Sequence, residues 1–388
     1  MTIKKPIIIQ TVFLLAIIAG GIYLFQGRNS ALPKTEDKPN KSAETTLPNT
    51  AEDLLKQTAR TEINPQNTDK VAKVTYDPPK EICVNDYNYS CYEDHYKLLV
   101  KAKGVTAAFD DLKARYDSNS YIKSQCHPLT HTIGNAAVEL YPDVGQAYAK
   151  GDSVCWSGYY HGVMEGIIGR ISPQDLPNKM NGICANIQGK AVYSFDYYNC
   201  VHGIGHGVMA ISQDELFDSL KLCDNLQGGW EQSSCHGGVF MENVIVDNKN
   251  HFTKYLKPSE PLYPCTAVDD KYKTTCYLMQ TSYMLKVTNS DFSKVFELCS
   301  TVGSFAATCY QSLGRDASGR SISDVQQTKA TCELGKDNDQ RSNCIIGAVK
   351  DFVSYHHSDV QAKQLCGAIA TEIQSVCFST VESYYKSF

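Results

Sequence analysis

Cysteine spacing constrains the fold of this chain more than any other feature. All sixteen cysteines lie between Cys83 and Cys377, and from Cys184 onward they fall into six pairs, each separated by ten to sixteen residues. The second cysteines of these pairs stand at positions 200, 235, 276, 309, 344 and 377, so the repeat interval is 33 to 41 residues. Intervals in this range are typical of helical-hairpin repeats, in which each hairpin contacts only its neighbours.

The sequence around the cysteines is similar from one pair to the next. An amphipathic segment ends at the first cysteine (DELFDSLKLC, SDFSKVFELC, SDVQAKQLC), and the second cysteine opens an apolar segment (CYLMQTSYML, CIIGAVKDFV). This pattern predicts a helix A, a loop and a helix B, with a disulfide closing the loop. A bridge that closes about a dozen residues contributes roughly 3 kcal/mol in the chain-entropy model. The sequence therefore predicts an all-α protein, an α-solenoid of disulfide-linked helical hairpins.

The N-terminus predicts a membrane anchor. Residues 6–25 (PIIIQTVFLLAIIAGGIYLF) follow Lys4 and Lys5 and are apolar enough to cross a bilayer as a transmembrane helix. The lysines favour a cytoplasmic tail, residues 1–5. A cleaved signal peptide is the alternative, although no clear A-x-A-like site follows. Residues 26–75, rich in Pro, Thr, Ser, Lys, Glu and Asn, predict a disordered linker. Residues 76–388 are then an extracellular or periplasmic ectodomain of a single-pass membrane protein.

An exported ectodomain makes disulfides the natural state of its cysteines. No C-x2-C pair of the kind used by zinc knuckles occurs, and the net charge of −5 argues against a nucleic-acid partner. Spacing predicts six bridges, and two more would use the remaining four cysteines, although sequence alone does not settle connectivity. The predicted bridges are Cys184–Cys200, Cys223–Cys235, Cys265–Cys276, Cys299–Cys309, Cys332–Cys344 and Cys366–Cys377, with Cys83–Cys91 and Cys126–Cys155 as the additional two.

Histidines follow the second cysteine in four consecutive B segments and in none of the next four. They are His127, His131, His161, His202, His206 and His236. The later segments (CYLMQTS, CYQSLGR, CIIGAVK, CFSTVES) occupy the same place in the same kind of hairpin, so the scaffold alone does not require histidine there. The ectodomain thus divides into a histidine-rich half, about residues 120–250, and plain repeats, about residues 251–388.

The spacing of these histidines predicts a metal centre. Three pairs lie four residues apart: His127 and His131, His161 and Glu165, and His202 and His206. Residues four apart project from one face of a helix. His161 and His206 also stand six residues after a cysteine, so stacked B helices would bring the two central pairs together. The first pair would extend this site, and His236 with Glu242, six residues apart, would complete a dinuclear centre if they also converge.

Imidazoles with a carboxylate suit a transition metal, Zn²⁺ or a nonheme Fe or Mn, better than Ca²⁺ or Mg²⁺. Glu165 would be either a ligand or the general base, in hydrolysis by zinc or oxidation by iron. Metal capture or delivery without catalysis uses the same ligands. A different interpretation is that the glycines of HGIGHG and CHGG simply allow close helix packing. The chain would then be a metal-free scaffold that binds a protein or peptide in its groove.

One repeat carries a resemblance to a known family. The segment from Cys299 through Cys309 and onward (CSTVGSFAATCYQSLGRDASG) resembles the disulfide-linked Sel1-like repeats, a branch of the tetratricopeptide-type solenoids. In that family the second cysteine of each hairpin precedes a short x-x-L-G segment. The resemblance implies a right-handed superhelix with one set of helices lining its concave face. It implies no particular ligand, because the family serves mainly as scaffolding.

Overall fold

The computed structural model describes residues 75–77, 79, 83, 88–245, 253–321 and 324–386. These residues form α-helices, two short 3-10 helices and loops, and they contain no β-strand. In chain order the helices are α1 Tyr89–Lys103, α2 Val105–Tyr116, α3 Ser120–Ser124, α4 Cys126–Leu140, α5 Val144–Tyr148, α6 Gly158–Ile168, α7 Leu176–Ile183, α8 Phe195–Ile211, α9 Leu216–Cys223, α10 Gly229–Val244, α11 Asp270–Val287, α12 Phe292–Ser300, α13 Ala306–Arg320, α14 Val325–Cys332, α15 Asn338–His356, α16 Val360–Ala368 and α17 Thr371–Tyr385. The all-α prediction is therefore confirmed for the described residues.

Eight disulfides connect the helices, and all sixteen cysteines take part. They are Cys83–Cys91, Cys126–Cys155, Cys184–Cys200, Cys223–Cys235, Cys265–Cys276, Cys299–Cys309, Cys332–Cys344 and Cys366–Cys377. The six later bridges are those that the spacing predicts, and Cys83–Cys91 and Cys126–Cys155 are the two that would use the remaining cysteines. Most of the bridges join the end of a short helix, such as α9, to the following long helix, such as α10, so each closes a hairpin.

The long helices α4, α6, α8, α10, α11, α13, α15 and α17 are the B helices. In the six later hairpins they begin before the cysteine, which corrects the prediction that the cysteine opens the helix. Helix α15 begins six residues before Cys344 because Asp337 caps it, with the Asp337 carboxylate accepting a 2.9 Å hydrogen bond from the Gln340 N–H. Ser194 caps α8 in the same way, and that helix begins at Phe195, five residues before Cys200.

The A helices are less regular than the repeat pattern suggests. Helix α5 has only five residues, and residues 253–269, which precede α11, form turns without an α-helix. The latter segment belongs to the longest repeat interval, 41 residues, between Cys235 and Cys276. Variation is thus confined to the A side, while the B helices form a continuous row in which each packs against the next.

Reciprocal glycines let neighbouring B helices touch through their backbones. A Cβ atom at Gly162 of α6 would overlap the carbonyl oxygen of His131 on α4, and one at Gly134 would overlap the carbonyl oxygen of Tyr159. The same reciprocal arrangement joins α8 to α10 at Gly205 and Gly238, and α13 to α15 at Gly314 and Gly347. Contact at this distance fixes the rotation of each helix, so equivalent positions of successive helices lie side by side.

The row of B helices curves back toward its start. The ring of Tyr355, near the end of α15, lies 5.8 Å from the ring of Trp156, which precedes α6. The ring of His357 lies 4.9 Å from that of Phe195, the first residue of α8. These contacts join the hairpins of Cys155 and Cys200, early in the chain, to the hairpin of Cys344, near its end.

The predicted tail 1–5, anchor 6–25 and linker 26–75 lie outside the described residues, apart from residue 75. None of the helices in the described part of the chain combines the length and apolar character that crossing a bilayer requires.

Candidate metal centre

Five histidines and two glutamates from four successive B helices converge in the interior, and we call them the histidine cluster. Its members are His127 and His131 of α4, His161 and Glu165 of α6, His202 and His206 of α8, and Glu242 of α10. Neighbouring rings have centroids 4.1 to 5.6 Å apart, and the closest pair, His161 and His206, is stacked. Stacking in phase therefore brings together imidazoles that are up to 79 positions apart along the chain.

The cluster contains three groups whose ligand atoms lie within 4.8 Å of one another. They are His127, His131 and His161; His161, His202 and His206; and His131, Glu165 and His206. The first two groups share His161, and all three offer the nitrogen or carboxylate atoms that metal ions bind. These buried groups could hold a metal ion.

Acceptors on neighbouring segments orient three of the imidazoles. The Nδ1 atom of His127 lies 2.7 Å from the carbonyl oxygen of Cys155. Because a carbonyl oxygen can only accept a hydrogen bond, His127 donates from Nδ1. The Nδ1 atom of His131 lies 2.7 Å from Glu165 Oε1, and a carboxylate likewise only accepts.

The third oriented imidazole is the most deeply buried. His206 Nδ1 lies 2.6 Å from Glu242 Oε2, and the His206 side chain is fully buried. Carboxylate–histidine pairs of this kind hold the ring nitrogen opposite the acceptor in the form that binds metal. His131 and His206 therefore each have a glutamate behind them, supplied by the next B helix in the row.

This orientation leaves lone pairs pointing into the cluster. With Nδ1 protonated, a neutral imidazole carries its lone pair on Nε2, and the Nε2 atoms of His127 and His131 lie 3.0 Å apart. His206 Nε2 and His161 Nδ1 are buried and have no hydrogen-bond partner among the described residues. Buried polar atoms are rarely left without a partner, and metal ions held by the three groups would provide partners for these nitrogens.

Burial also holds three of the cluster imidazoles in the neutral state. It lowers the pKa of His127 to about 3, and the neighbouring His131 adds to the effect. Burial likewise lowers the pKa of His161 and of His202 well below the usual 6.5, with other imidazoles, and for His202 the Arg315 cation, contributing less. A neutral imidazole is the metal-binding form, so His127, His161 and His202 need no deprotonation at neutral pH.

His236 does not join the cluster, contrary to the sequence-based expectation. Its Nε2 atom lies 3.1 Å from Asp224 Oδ1, and the other oxygen of Asp224 accepts hydrogen bonds from Lys271 and Tyr272. His236 and Glu242 are six residues apart, which places them about 120° apart around a helix of 3.6 residues per turn. Only Glu242 therefore faces the cluster, and it does so through His206.

Two residues near His202 were not anticipated from the sequence. The hydroxyl group of Tyr198, one turn earlier on α8, lies 3.2 Å from His202 Nδ1, and Met241 Sδ on α10 lies 3.5 Å from His202 Nε2. Met241 stands six residues after Cys235, the same phase as His161 and His206. Counting that phase in every B segment identifies it.

A strained turn adjoins the cluster just before α6. Cys155, Trp156 and Ser157 have φ angles of 59°, 56° and 59°, in the left-handed region that costs roughly 1–2 kcal/mol per residue without glycine. The turn places the Cys155 carbonyl against His127. It also leaves Trp156 39% exposed in the wall of the adjacent cavity.

That cavity has a volume of about 1120 Å³. Cluster residues His127, His131, Glu165 and Glu242 form part of its wall. The remaining wall includes Trp156, Met241, Met279, Lys286, Arg315, Asp316 and Arg320. A molecule in the cavity would therefore have access to the cluster.

Comparison with known proteins gives no relative: no protein-family model, no curated protein and no solved structure matches the chain. The residues of the site are therefore the basis for its function.

Proposed function

We propose that this protein is an exported, membrane-anchored metalloenzyme whose histidine cluster binds Zn²⁺ or Fe and whose cavity admits a small-molecule substrate. The observation that carries the proposal is the pair of Nε2 atoms of His127 and His131, 3.0 Å apart. Two lone pairs at this distance repel each other unless a proton or a metal cation lies between them, and a metal cation bound by both rings is the alternative that we propose. Two nitrogen ligands that each sit about 2.0–2.1 Å from one ion are separated by about 3 Å or slightly more.

The ligand types favour a transition metal. Imidazole nitrogen suits Zn²⁺ and Fe, whereas Ca²⁺ and Mg²⁺ prefer oxygen. His131, His206 and Glu165 together supply the two-histidine, one-carboxylate set found in zinc hydrolases and nonheme iron oxygenases. Glu165 Oε1 faces His131, so we assign Glu165 first to positioning that ring, and its other oxygen to metal binding or proton transfer.

The cavity favours catalysis over simple metal storage. A storage site is best enclosed by its ligands, whereas four cluster residues line an open volume of about 1120 Å³. A bound metal would supply either an activated water for hydrolysis or a redox centre for oxidation. Zn²⁺ implies the first class and Fe the second, and metal identity decides between them.

The proposed location of the protein, outside the cytoplasm and attached to a membrane, is inferred from the sequence. Eight disulfides fit an oxidising compartment. We propose that residues 6–25 anchor the chain in a membrane and that residues 26–75 hold the repeats away from it. We further propose that the hairpins belong to the Sel1-like, tetratricopeptide type of superhelix.

Metal analysis of the purified full-length chain tests the proposal. We expect one or two equivalents of transition metal, lost in a His202→Ala/His206→Ala variant and retained in a His236→Ala variant, since His236 lies outside the cluster. Circular dichroism checks that both variants remain helical. A wild-type chain that holds less than about 0.1 equivalent after incubation with Zn²⁺ or Fe²⁺ would instead be a metal-free scaffold for a protein or peptide.

A further inference from the structure

Beyond the histidine cluster, a second part of the cavity wall carries charged side chains. Helices α11 and α13 contribute three cations, Lys286, Arg315 and Arg320, and a single carboxylate, Asp316. This wall is therefore positively charged overall, and its cations do not belong to the metal ligands.

Arg315 is the cation whose placement is best defined. Its Nη2 group donates to Ser282 Oγ at 2.8 Å and to Asp316 Oδ1 at 3.0 Å. Asp316 in turn accepts hydrogen bonds from Thr281 and Ser282, at 2.6 and 2.7 Å. The Asp316 charge is thus shared among several donors, and its main effect is to hold the guanidinium group in one orientation.

The Nη1 end of the guanidinium group has one weak hydrogen-bond acceptor. Arg315 Nη1 donates to the Leu278 carbonyl at 2.8 Å and to Met279 Sδ at 2.9 Å. A thioether sulfur is a weak acceptor, so an N–H of a charged group gains considerably when a carboxylate replaces it. The Arg315 side chain is 23% exposed, which leaves it accessible from the cavity.

Arg315 also lies near the histidine cluster. Arg315 Nη1 contacts Met279 Sδ, and a Cβ atom at Gly237 would lie 3.3 Å from His202 Nδ1 and 4.0 Å from Met279 Cε, so Met279 and His202 both border Gly237. Arg315 also lines the same cavity as the cluster residues His127 and His131, so one bound molecule could contact both.

We propose that the substrate is a small organic carboxylate, bound with its carboxylate on Arg315 and its reacting group at the metal. This inference rests on the proposed metal centre. The Arg315 Nη1 N–H that donates to the weak acceptor Met279 Sδ would donate to the carboxylate instead, in a charge-assisted hydrogen bond. The cavity volume is in the range of small-molecule sites.

Two matched hydroxamates test the inference, because a hydroxamate binds a metal with one end and leaves the other end variable. Adipic acid monohydroxamate carries a distal carboxylate, and hexanohydroxamic acid has a methyl group in its place. With the metal-loaded full-length chain we expect the carboxylate probe to bind at least about tenfold more tightly by titration calorimetry.

Variants of two cavity arginines identify the carboxylate site. Arg315→Gln should abolish the advantage of the carboxylate probe and leave hexanohydroxamic acid binding and metal content unchanged. Arg320→Gln is the matched control, because Arg320 donates to Ser290 at 2.6 Å and lies over the Phe292 ring, so the advantage should persist.

The outcomes separate this inference from the proposed function. Equal affinity of the two probes for the wild-type chain would overturn the carboxylate inference and leave the metal centre intact. An advantage that survives in Arg315→Gln would overturn the role of Arg315. If the chain holds no metal and binds neither probe, the proposed function fails and the inference fails with it.

Discussion

The Nε2 atoms of His127 and His131 lie 3.0 Å apart, and each ring is fixed from behind by an acceptor on a different segment. The acceptors are the Cys155 carbonyl and the Glu165 carboxylate. Neither ring can relieve the contact by exchanging its tautomer, because Nδ1 would then lose its hydrogen bond. The two hydrogen bonds at Nδ1 therefore hold the two Nε2 atoms in contact, and either a shared proton or a bound metal cation stabilises that contact.

The glutamate behind His206 should control metal affinity. Glu242 accepts from His206 Nδ1 at 2.6 Å, and substitutions at such supporting carboxylates commonly weaken metal binding by about 10- to 100-fold. We expect Glu242→Gln to weaken binding to this extent, as measured by competition with a chromogenic chelator. Glu260→Gln is the control, because Glu260 lies in an exposed loop and its carboxylate pairs with Lys257, outside the histidine cluster. An unchanged affinity in Glu242→Gln would contradict the supporting role.

Substitution of His236 should lower the stability of the protein without changing its metal content. It is 4% exposed and contacts Asp224 at 3.1 Å, so its loss leaves part of a buried polar network without a partner. We expect His236→Ala to lower the free energy of unfolding by about 1–3 kcal/mol. Urea unfolding measures this change, and metal analysis of the same sample should give the wild-type value. Loss of metal with unchanged stability would place His236 in the centre after all.

Much of this architecture could be predicted from the cysteines. Their interval identifies the hairpins, their pairing follows from spacing, and the shared position of His161 and His206 after a cysteine predicts that they meet. The prediction that these two histidines meet holds because close contact at glycines fixes the rotation of the B helices. The helix starts could not be predicted from the cysteines, because capping residues such as Asp337 set them.

Other parts of the site have no local signal. The Cys155 carbonyl belongs to the backbone, and its contact with His127 depends on a left-handed turn of residues without glycine. Arg315 comes from a plain repeat, and it reaches the cavity only because the row of helices curves back. His236 is also a histidine that follows a second cysteine, but its side chain faces Asp224 rather than the cluster, so the motif alone predicted its role wrongly.

The close helix contact at Gly162 should link stability to metal binding. Gly162→Ala would push α6 away from α4 at the His131 carbonyl, at a cost of about 1–3 kcal/mol, and would also weaken metal binding. Gly347→Ala, which meets the Gln311 carbonyl in the plain repeats, should destabilise similarly but keep the metal affinity. Gly182→Ala on α7, with nothing within 4 Å, should cause no loss of stability. Thermal unfolding and chelator competition check these values, and identical metal affinities for the first two variants would count against the link.

The buried carboxyl group of Asp351 should make stability depend on pH. Burial raises its pKa from 3.8 to about 6, although Ser318 Oγ donates to Asp351 Oδ2 at 2.6 Å. Between about pH 4 and pH 6 the folded state therefore binds more protons than the unfolded state, so the contribution of Asp351 to stability falls as the pH rises through this window.

Asp351→Asn removes that titration and keeps an acceptor for Ser318. We expect the variant to be more stable than the wild type at pH 7 by about 1–3 kcal/mol, with the difference nearly gone at pH 4. Urea unfolding at the two pH values measures the gap. Ser318→Ala, which keeps the carboxyl group, should retain the wild-type direction of the pH dependence. A gap of equal size at both pH values would show that the substitution acts through packing rather than through the proton.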